Sequence, residues 1–300
     1  MHDDEVAITT EQVRALVADQ HPRWRDLPVQ ALPHRGTDHA LFRLGEDLAV
    51  RLPRISGARG AVDRERAATE RLATLVGVEA PVPVASGEPG HGFPWRWSVV
   101  RWVAGTTATQ PTPALAGDLA RVVRRLRAVD LPGPVNDRRA HPLADLTRLV
   151  AADADAVRDE VPVGLVMRAW EESCSADPWD GVGVWLHGDL APGNVVVRDG
   201  RLVGLIDWGG TGLGDPAGDL SPAWNFLDAP SREVFRRALG EDDATWLRGR
   251  REDRADDGGC TRRGAGRADP PAGPQGGGVR AGGARPSRED GPPCSEDSPP

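Results

Sequence analysis

The first hundred residues carry the alternation of apolar and polar positions that is typical of β-strands. Residues 36–45 and 48–53 predict two strands, and the short turn at 45–47 between them predicts a hairpin. Two more strands are predicted at residues 81–87 and 95–105, the second of them rich in tryptophan. The pattern therefore predicts a small sheet in the N-terminal third of the chain.

Two helical patterns accompany these strands. Residues 9–12 resemble a capping box, and the apolar side chains that follow them recur at helical spacing. Residues 60–75 predict a second helix, which carries Glu65 and Glu70 among its apolar positions. We expect both helices to pack against the sheet.

From Thr112 onward the periodicity is mainly helical. Thr112 and Pro113 form a helix start with proline at the first helical position, and leucines and valines follow at helical spacing. Residues 142–178 predict further helices. Two short apolar runs, 195–197 and 202–206, interrupt this pattern and predict a second hairpin.

Composition narrows the class of protein. The chain has 300 residues, 39% of them hydrophobic, and no long uninterrupted apolar run. Residues 1–5 lack the basic and apolar regions of a signal peptide, so a cytoplasmic protein is expected. A net charge of −8 argues against nucleic acid or an anionic membrane as the main partner. The three cysteines are too scattered for a disulfide framework or a zinc site, and the chain has no lysine.

The residues best suited to catalysis or metal binding flank the second predicted hairpin. Most of them lie in the loop before it, and one aspartate follows it directly. His187, Gly188 and Asp189 are followed by Asn194, five positions after the aspartate, and Asp207 follows the second apolar run. Phosphoryl transfer needs a carboxylate that orients the acceptor hydroxyl and oxygen ligands that hold magnesium on the nucleotide phosphates. This segment supplies all three groups.

The pattern resembles the signature of the aminoglycoside phosphotransferase family of the protein-kinase-like superfamily, in which an Ile-Asp-Trp sequence follows, as it does around Asp207. A Val-Arg-Leu-Pro-Arg sequence at 50–54 strengthens the resemblance, which covers about residues 30–247. It implies an α+β, two-lobed protein-kinase-like fold. A small antiparallel-sheet N-lobe would span residues 1–103, and a mostly helical C-lobe would span 104–248.

The resemblance implies a role for each residue of the loop. Asp189 would be the general base that orients the acceptor hydroxyl, and Asn194 and Asp207 would bind Mg2+. His187 would be structural. Asp219 would cap a helix and accept hydrogen bonds from the loop backbone.

The resemblance also implies an ATP site in the N-lobe. Arg51 stands at the position of the phosphate-contacting basic residue, where most kinases have lysine. Glu65 would form an ion pair with it, and Glu70 is the alternative. The other nucleotide contacts implied are Gly36 of the phosphate-covering hairpin and the backbone of Arg101, Trp102 and Val103, which would bind adenine.

Two features favour a small-molecule kinase over a protein kinase. Gly188 stands where protein kinases have arginine, and only a short glycine-rich stretch follows Trp208, without a long activation segment. An excess of acidic residues over 142–178 suits a cationic aminosugar acceptor, but it also suits a solvated helical face. The expected function is ATP-dependent phosphorylation of a small-molecule hydroxyl, with an aminoglycoside-like acceptor and a role in antibiotic resistance. A macrolide, homoserine, fructosamine or choline-like acceptor stays open.

The end of the chain breaks the pattern. Residues 251–300 contain no Leu, Ile, Met, Phe or Trp and are rich in Gly, Pro, Arg and Asp, a composition that predicts disorder. The abrupt change predicts a frameshifted or otherwise aberrant end over 249–300, or a genuine disordered tail. Together with the arginine at position 51, it leaves a nucleotide-binding pseudokinase or an inactive truncated remnant as the alternative function.

Overall fold

The computed structural model describes residues 5–32, 39–58, 60–136, 143–159 and 161–250. The predicted phosphate-loop residue Gly36 and the predicted tail at 251–300 lie outside the described residues. The lobe boundaries given above stay predictions.

An antiparallel sheet forms the N-terminal part of the described chain. Its strands are β1 (Val29–Ala31), β2 (His39–Leu44), β3 (Leu48–Pro53), β4 (Pro83–Gly87) and β5 (Trp97–Arg101), in the spatial order β1-β2-β3-β5-β4. Every neighbouring pair is antiparallel. The four predicted strands are confirmed over the described residues. Strand β1 was not predicted, because three residues are too few to show a periodicity.

One face of this sheet is covered by helix α1 (Thr10–Gln20). The helix begins at the predicted capping residue, where the hydroxyl of Thr9 accepts a hydrogen bond from the amide of Gln12 (3.2 Å). Its apolar side packs on every second residue of β2, from Ala40 to Leu44. The alternate residues of β2 therefore lie on the opposite face of the sheet, where the candidate site is formed.

The helix predicted at 60–75 is confirmed, with one irregularity. Helix α2 (Ala61–Ala68) continues into a π-helical turn (Thr69–Ala73) and then into helix α3 (Thr74–Val76). π-Helical turns are frequent at functional sites. This one directly follows the helical turn that carries Glu65.

The rest of the described chain is mostly helical. Its helices are α4 (Pro113–Arg127), α5 (Leu143–Ala156), α6 (Val163–Cys174), α7 (Pro222–Asn225), α8 (Ala229–Leu239) and α9 (Asp243–Gly249). Its short strands are β6 (Thr106–Thr107), β7 (Val184–Leu186), β8 (Val195–Arg198), β9 (Arg201–Leu205) and β10 (Gly212–Gly214), arranged as β6-β8-β9 and β7-β10. Thr112 caps α4 as predicted, and β8 and β9 form the predicted second hairpin. Across the ranges that the structure describes, no helix has the length and apolar character to cross a membrane.

A buried carboxylate attaches the second hairpin to α4. Asp118 accepts hydrogen bonds from Nε and Nη2 of Arg201 (2.7 Å each), from Arg121 (2.6 Å) and from the amide of Leu202 (3.2 Å). These bonds, those from Arg201 first, lower the pKa of Asp118 to about 2 although its burial acts in the opposite direction. Asp118 thus fixes the hairpin that leads to Asp207, a role that the apolar periodicity of α4 did not indicate.

Candidate active site

The loop after β7 is held through its backbone by a buried aspartate. Asp219, which is fully buried, accepts hydrogen bonds from the amide of His187 (2.7 Å) and from the amide of Gly188 (2.8 Å). The predicted contact with the loop backbone is therefore present. The predicted helix cap is wrong, because Asp219 lies inside a 3-10 turn (Pro216–Leu220) whose capping residue is Asp215.

Gly188 is required by the shape of this loop. Its φ angle is +83°, and a Cβ atom there would lie 2.2 Å from the carbonyl oxygen of Gly210. No other residue type fits this position without moving the backbone. Steric exclusion of a side chain therefore explains why glycine stands at the position where protein kinases have arginine.

The ring of His187 packs inside the protein. It is fully buried and meets the ring of Trp208 edge to face at a centroid distance of 4.9 Å. The amide of Asp189 donates a hydrogen bond to its Nδ1 (3.3 Å). This geometry agrees with the predicted structural role and holds the backbone on which Asp189 stands.

Asp189 and Asn194 contact each other directly. Nδ2 of Asn194 donates to the carboxylate of Asp189 (2.8 Å) and to its carbonyl group (3.1 Å), while Asp189 itself is exposed. The carbonyl of Asn194 accepts a hydrogen bond from the amide of Ile206 (3.0 Å). That bond places Asp207, the next residue along the chain, beside the loop.

Arg51 connects the sheet to the second hairpin. Its Nη1 donates to Glu65, and its Nη2 donates to Oδ1 of Asp207 (3.2 Å). Glu70 is exposed, so of the two candidate glutamates only Glu65 contacts Arg51. The sequence held a signal for this choice, because Glu65 shares a helical stripe with the buried Leu72.

The charges of this cluster act on one another. Burial raises the pKa of Glu65 to about 7, with Arg51 opposing and Asp207 adding to the rise. Burial acts to raise the pKa of Asp207, but the charge and hydrogen bond of Arg51 and the two nearby histidines together lower it below its usual value. Burial likewise opposes the charge of Arg51, yet Glu65 and Asp207 raise its pKa. Arg51 and Asp207 are therefore a charged pair.

Asp207 stands in a strained backbone conformation. Its φ is +62° and its ψ is +64°, the left-handed region that residues other than glycine seldom adopt. Such residues cluster at functional sites. Its side chain is 47% exposed, so one side of the carboxylate faces Arg51 and the other remains accessible.

Two backbone amides of the segment predicted to bind adenine already donate hydrogen bonds within the protein. The amide of Arg101 donates to the carbonyl of Val82 (3.0 Å), and the amide of Trp102 donates to the carbonyl of Asp47 (2.8 Å). These two amides are not available to a ligand in this conformation. The adenine contact at residues 101–103 stays a prediction, and it would not use these two amides.

A buried ion pair that no sequence pattern indicated joins Asp215 to Arg248. Asp215 accepts hydrogen bonds from Nε (2.8 Å) and Nη2 (3.2 Å) of Arg248 on α9, and both side chains are buried. Asp215 also caps the 3-10 turn that carries Asp219. No local sequence pattern links two residues so far apart, so this contact was not predictable.

Comparison with known proteins agrees with this architecture. Residues 29–254 match the phosphotransferase enzyme family (APH). Over 126 residues the chain is 32% identical to an aminoglycoside 3'-phosphotransferase from Escherichia coli. That match spans 40% of this chain and 45% of the relative, less than half of the length of either.

Solved structures share the fold over most of the chain. The GDP and kanamycin complex of APH(2'')-IIia is 20% identical, with a TM-score of 0.61, and the likeness covers 79% of this chain and 86% of that one. The apoenzyme of macrolide 2'-phosphotransferase MphH from Brachybacterium faecium is 22% identical, with a TM-score of 0.58, and the likeness covers 81% and 88%. They confirm the expected two-lobed, protein-kinase-like fold. Because the family match extends over most of the sequence, the chain belongs to the phosphotransferase enzyme family.

Proposed function

We propose that this chain transfers the γ-phosphate of ATP to a hydroxyl group of a small molecule, with an aminoglycoside-like acceptor as the first choice. One observation carries the proposal: Asp207 meets Arg51 of the sheet (3.2 Å) and adjoins the Asp189 loop through the bond from Ile206 to Asn194 (3.0 Å). A phosphate-binding cation and a hydroxyl-orienting carboxylate thus belong to one cluster, as phosphoryl transfer requires.

Asp189 is the proposed general base. Its carboxylate is exposed, and Asn194 holds one of its oxygens by a hydrogen bond of 2.8 Å. The acceptor hydroxyl would donate a hydrogen bond to Asp189 and pass its proton there as its oxygen bonds to the γ-phosphorus. The bond from that phosphorus to the ADP oxygen breaks in the same transfer, and Arg51 would stabilise the charge on the phosphate oxygens.

Asn194 and Asp207 are the proposed ligands of Mg2+. Nδ2 of Asn194 is engaged by Asp189, which leaves its oxygen as the coordinating atom, and Asp207 offers an ionised, half-exposed carboxylate. These are hard oxygen donors, which magnesium prefers. In the part of the chain that the structure describes, no cluster of three or more His, Cys, Asp or Glu residues could hold a metal ion. The ion would therefore depend on the nucleotide phosphates, whose charge it would neutralise when bound.

The similar aminoglycoside and macrolide phosphotransferases support an aminoglycoside-like acceptor more strongly than the acidic residues of α5 and α6 do. Two of the acidic residues on the predicted acceptor helices are already paired, Asp155 with Arg158 (3.1 Å) and Glu172 with Arg250 (2.9 Å). Local ion pairs reduce the attraction of this face for a cationic ligand. The kanamycin complex and the macrolide enzyme make aminoglycosides and macrolides the first acceptors to test.

The test is a transfer assay with the full-length chain, magnesium and either ATP or GTP. The acceptors would be kanamycin, a macrolide, homoserine, a fructosamine and choline, and the product would be identified by mass as the monophosphate. The proposal predicts phosphorylation of at least one of them, with ATP as the donor. Nucleotide binding without transfer to any acceptor would instead favour the pseudokinase.

A further inference from the structure

His39, the first residue of β2, lies beside Arg51 on the site-facing side of the sheet. Ala40 packs into the core with α1, so His39 and Leu41 lie on the opposite face of the strand. Leu41 pairs in register with Arg51, which puts the arginine on that same face. The Nδ1 atom of His39 is 3.3 Å from Nη2 of Arg51.

This contact fixes which nitrogen of the ring carries the proton. A guanidinium group only donates hydrogen bonds, so Nδ1 of His39 must accept from Arg51. Burial, together with the charges of Arg51 and Arg64, lowers the pKa of His39 to about 3, while the charge of Asp207 opposes the shift. The ring is therefore neutral near pH 7, and its proton is on Nε2.

The Nε2–H group has no partner within the described chain. The atom is buried, and no hydrogen bond to it is formed by any described residue. A buried donor without a partner destabilises the protein unless a water molecule or a ligand satisfies it. The donor belongs to a side chain that is already fixed to Arg51, the residue proposed to bind the nucleotide phosphates.

We propose that His39 is a phosphate-binding residue of the nucleotide site, which holds Arg51 through Nδ1 and donates its Nε2–H to a phosphate oxygen of the nucleotide. This inference rests on the proposed function, because it assumes that the cluster of Arg51, Glu65 and Asp207 takes a nucleotide. It adds a neutral donor to a site whose other phosphate contact is a cation. A hydrogen bond from a neutral group to an anionic oxygen is stronger than one between neutral groups.

The experiment compares ADP and adenosine as ligands of the full-length protein by calorimetry, with magnesium present. The variants are His39→Leu, which removes both ring nitrogens, His39→Gln, whose amide reaches the place of Nε2, and His39→Asn, whose amide reaches the place of Nδ1. His39→Leu is expected to bind ADP at least about tenfold more weakly and adenosine as the wild type does. His39→Gln is expected to recover part of the ADP affinity. His39→Asn is expected to recover less, because it restores only the contact with Arg51.

Thermal unfolding of each variant separates loss of binding from loss of folding. An unchanged ADP affinity in a folded His39→Leu protein would overturn the inference, and so would an equal loss for ADP and adenosine. If the wild-type protein itself bound no ADP, the proposed function would fail and this inference with it. ADP binding by the wild type with no effect of His39→Leu would overturn the inference alone.

Discussion

The guanidinium group of Arg51 lies 3.2 Å from Oδ1 of Asp207, so an arginine of β3 and an aspartate after β9 form one ion pair. The same guanidinium donates to Glu65 through its other terminal nitrogen. Two carboxylates on separate elements are thus held by the two arms of one planar group. A lysine, which carries a single ammonium group, could not reach both in the same geometry.

Arg51→Lys is therefore expected to weaken nucleotide binding although the charge is kept. Loss of one charged hydrogen bond corresponds to about 1.5–3 kcal/mol, or roughly ten- to a hundredfold in affinity. Isothermal titration with ADP would measure it. Arg25→Lys, at an exposed position of the same lobe, is the control and should leave the affinity unchanged. Equal ADP affinities of the wild type and Arg51→Lys would contradict the role of the guanidinium group in holding both carboxylates.

Gly188→Ala is expected to destabilise the protein. The new Cβ atom would lie 2.2 Å from the carbonyl oxygen of Gly210, at a φ of +83°. Backbone strain of this kind costs on the order of 1–3 kcal/mol, and the clash adds to it. Gly193→Ala in the same loop is the matched control, since a Cβ there meets nothing within 4 Å. Chemical denaturation of both variants would measure the difference, and equal stabilities would show that the loop is not held as described.

Asp118 is expected to make the stability of the protein fall in acid. Its folded-state pKa of about 2 lies below the usual value of 3.8, so its bonds stabilise the fold fully above about pH 4 and are lost as the pH falls toward 2. The contribution is on the order of 2 kcal/mol. Asp118→Asn should flatten the unfolding free energy over that pH window, while the exposed control Asp130→Asn should keep the wild-type slope. Parallel slopes for wild type and Asp118→Asn would contradict the pairing with Arg201.

Features set by neighbouring residues were predictable from the sequence. The caps at Thr9 and Thr112 were predicted because a capping side chain bonds to an amide only three positions away. The two hairpins were predicted because alternation and turn residues are local as well. The loop from His187 to Asn194 was recognised because its chemistry is written in one short stretch of sequence.

Contacts between distant residues were not predictable. Asp118 with Arg201, Asp215 with Arg248 and the ring of His39 with Arg51 each join elements whose packing is decided by the whole fold. Such polar pairs leave no periodicity, because each is a single side chain on an element that otherwise follows its apolar pattern. Asp219 shows the intermediate case, since its contact with the loop was expected but its place inside a 3-10 turn was not.

Asp189 tests the central claim most directly. With any acceptor that the wild-type chain phosphorylates, Asp189→Asn removes the carboxylate proposed to take the hydroxyl proton and keeps the size of the side chain. The control is Asp199→Asn, because Asp199 is exposed in the β8–β9 turn. This variant should have the kcat of the wild type. The account predicts that kcat of Asp189→Asn falls by roughly 10²–10⁴-fold with the affinity for ADP unchanged. A folded Asp189→Asn protein that transfers phosphate at the wild-type rate would contradict it.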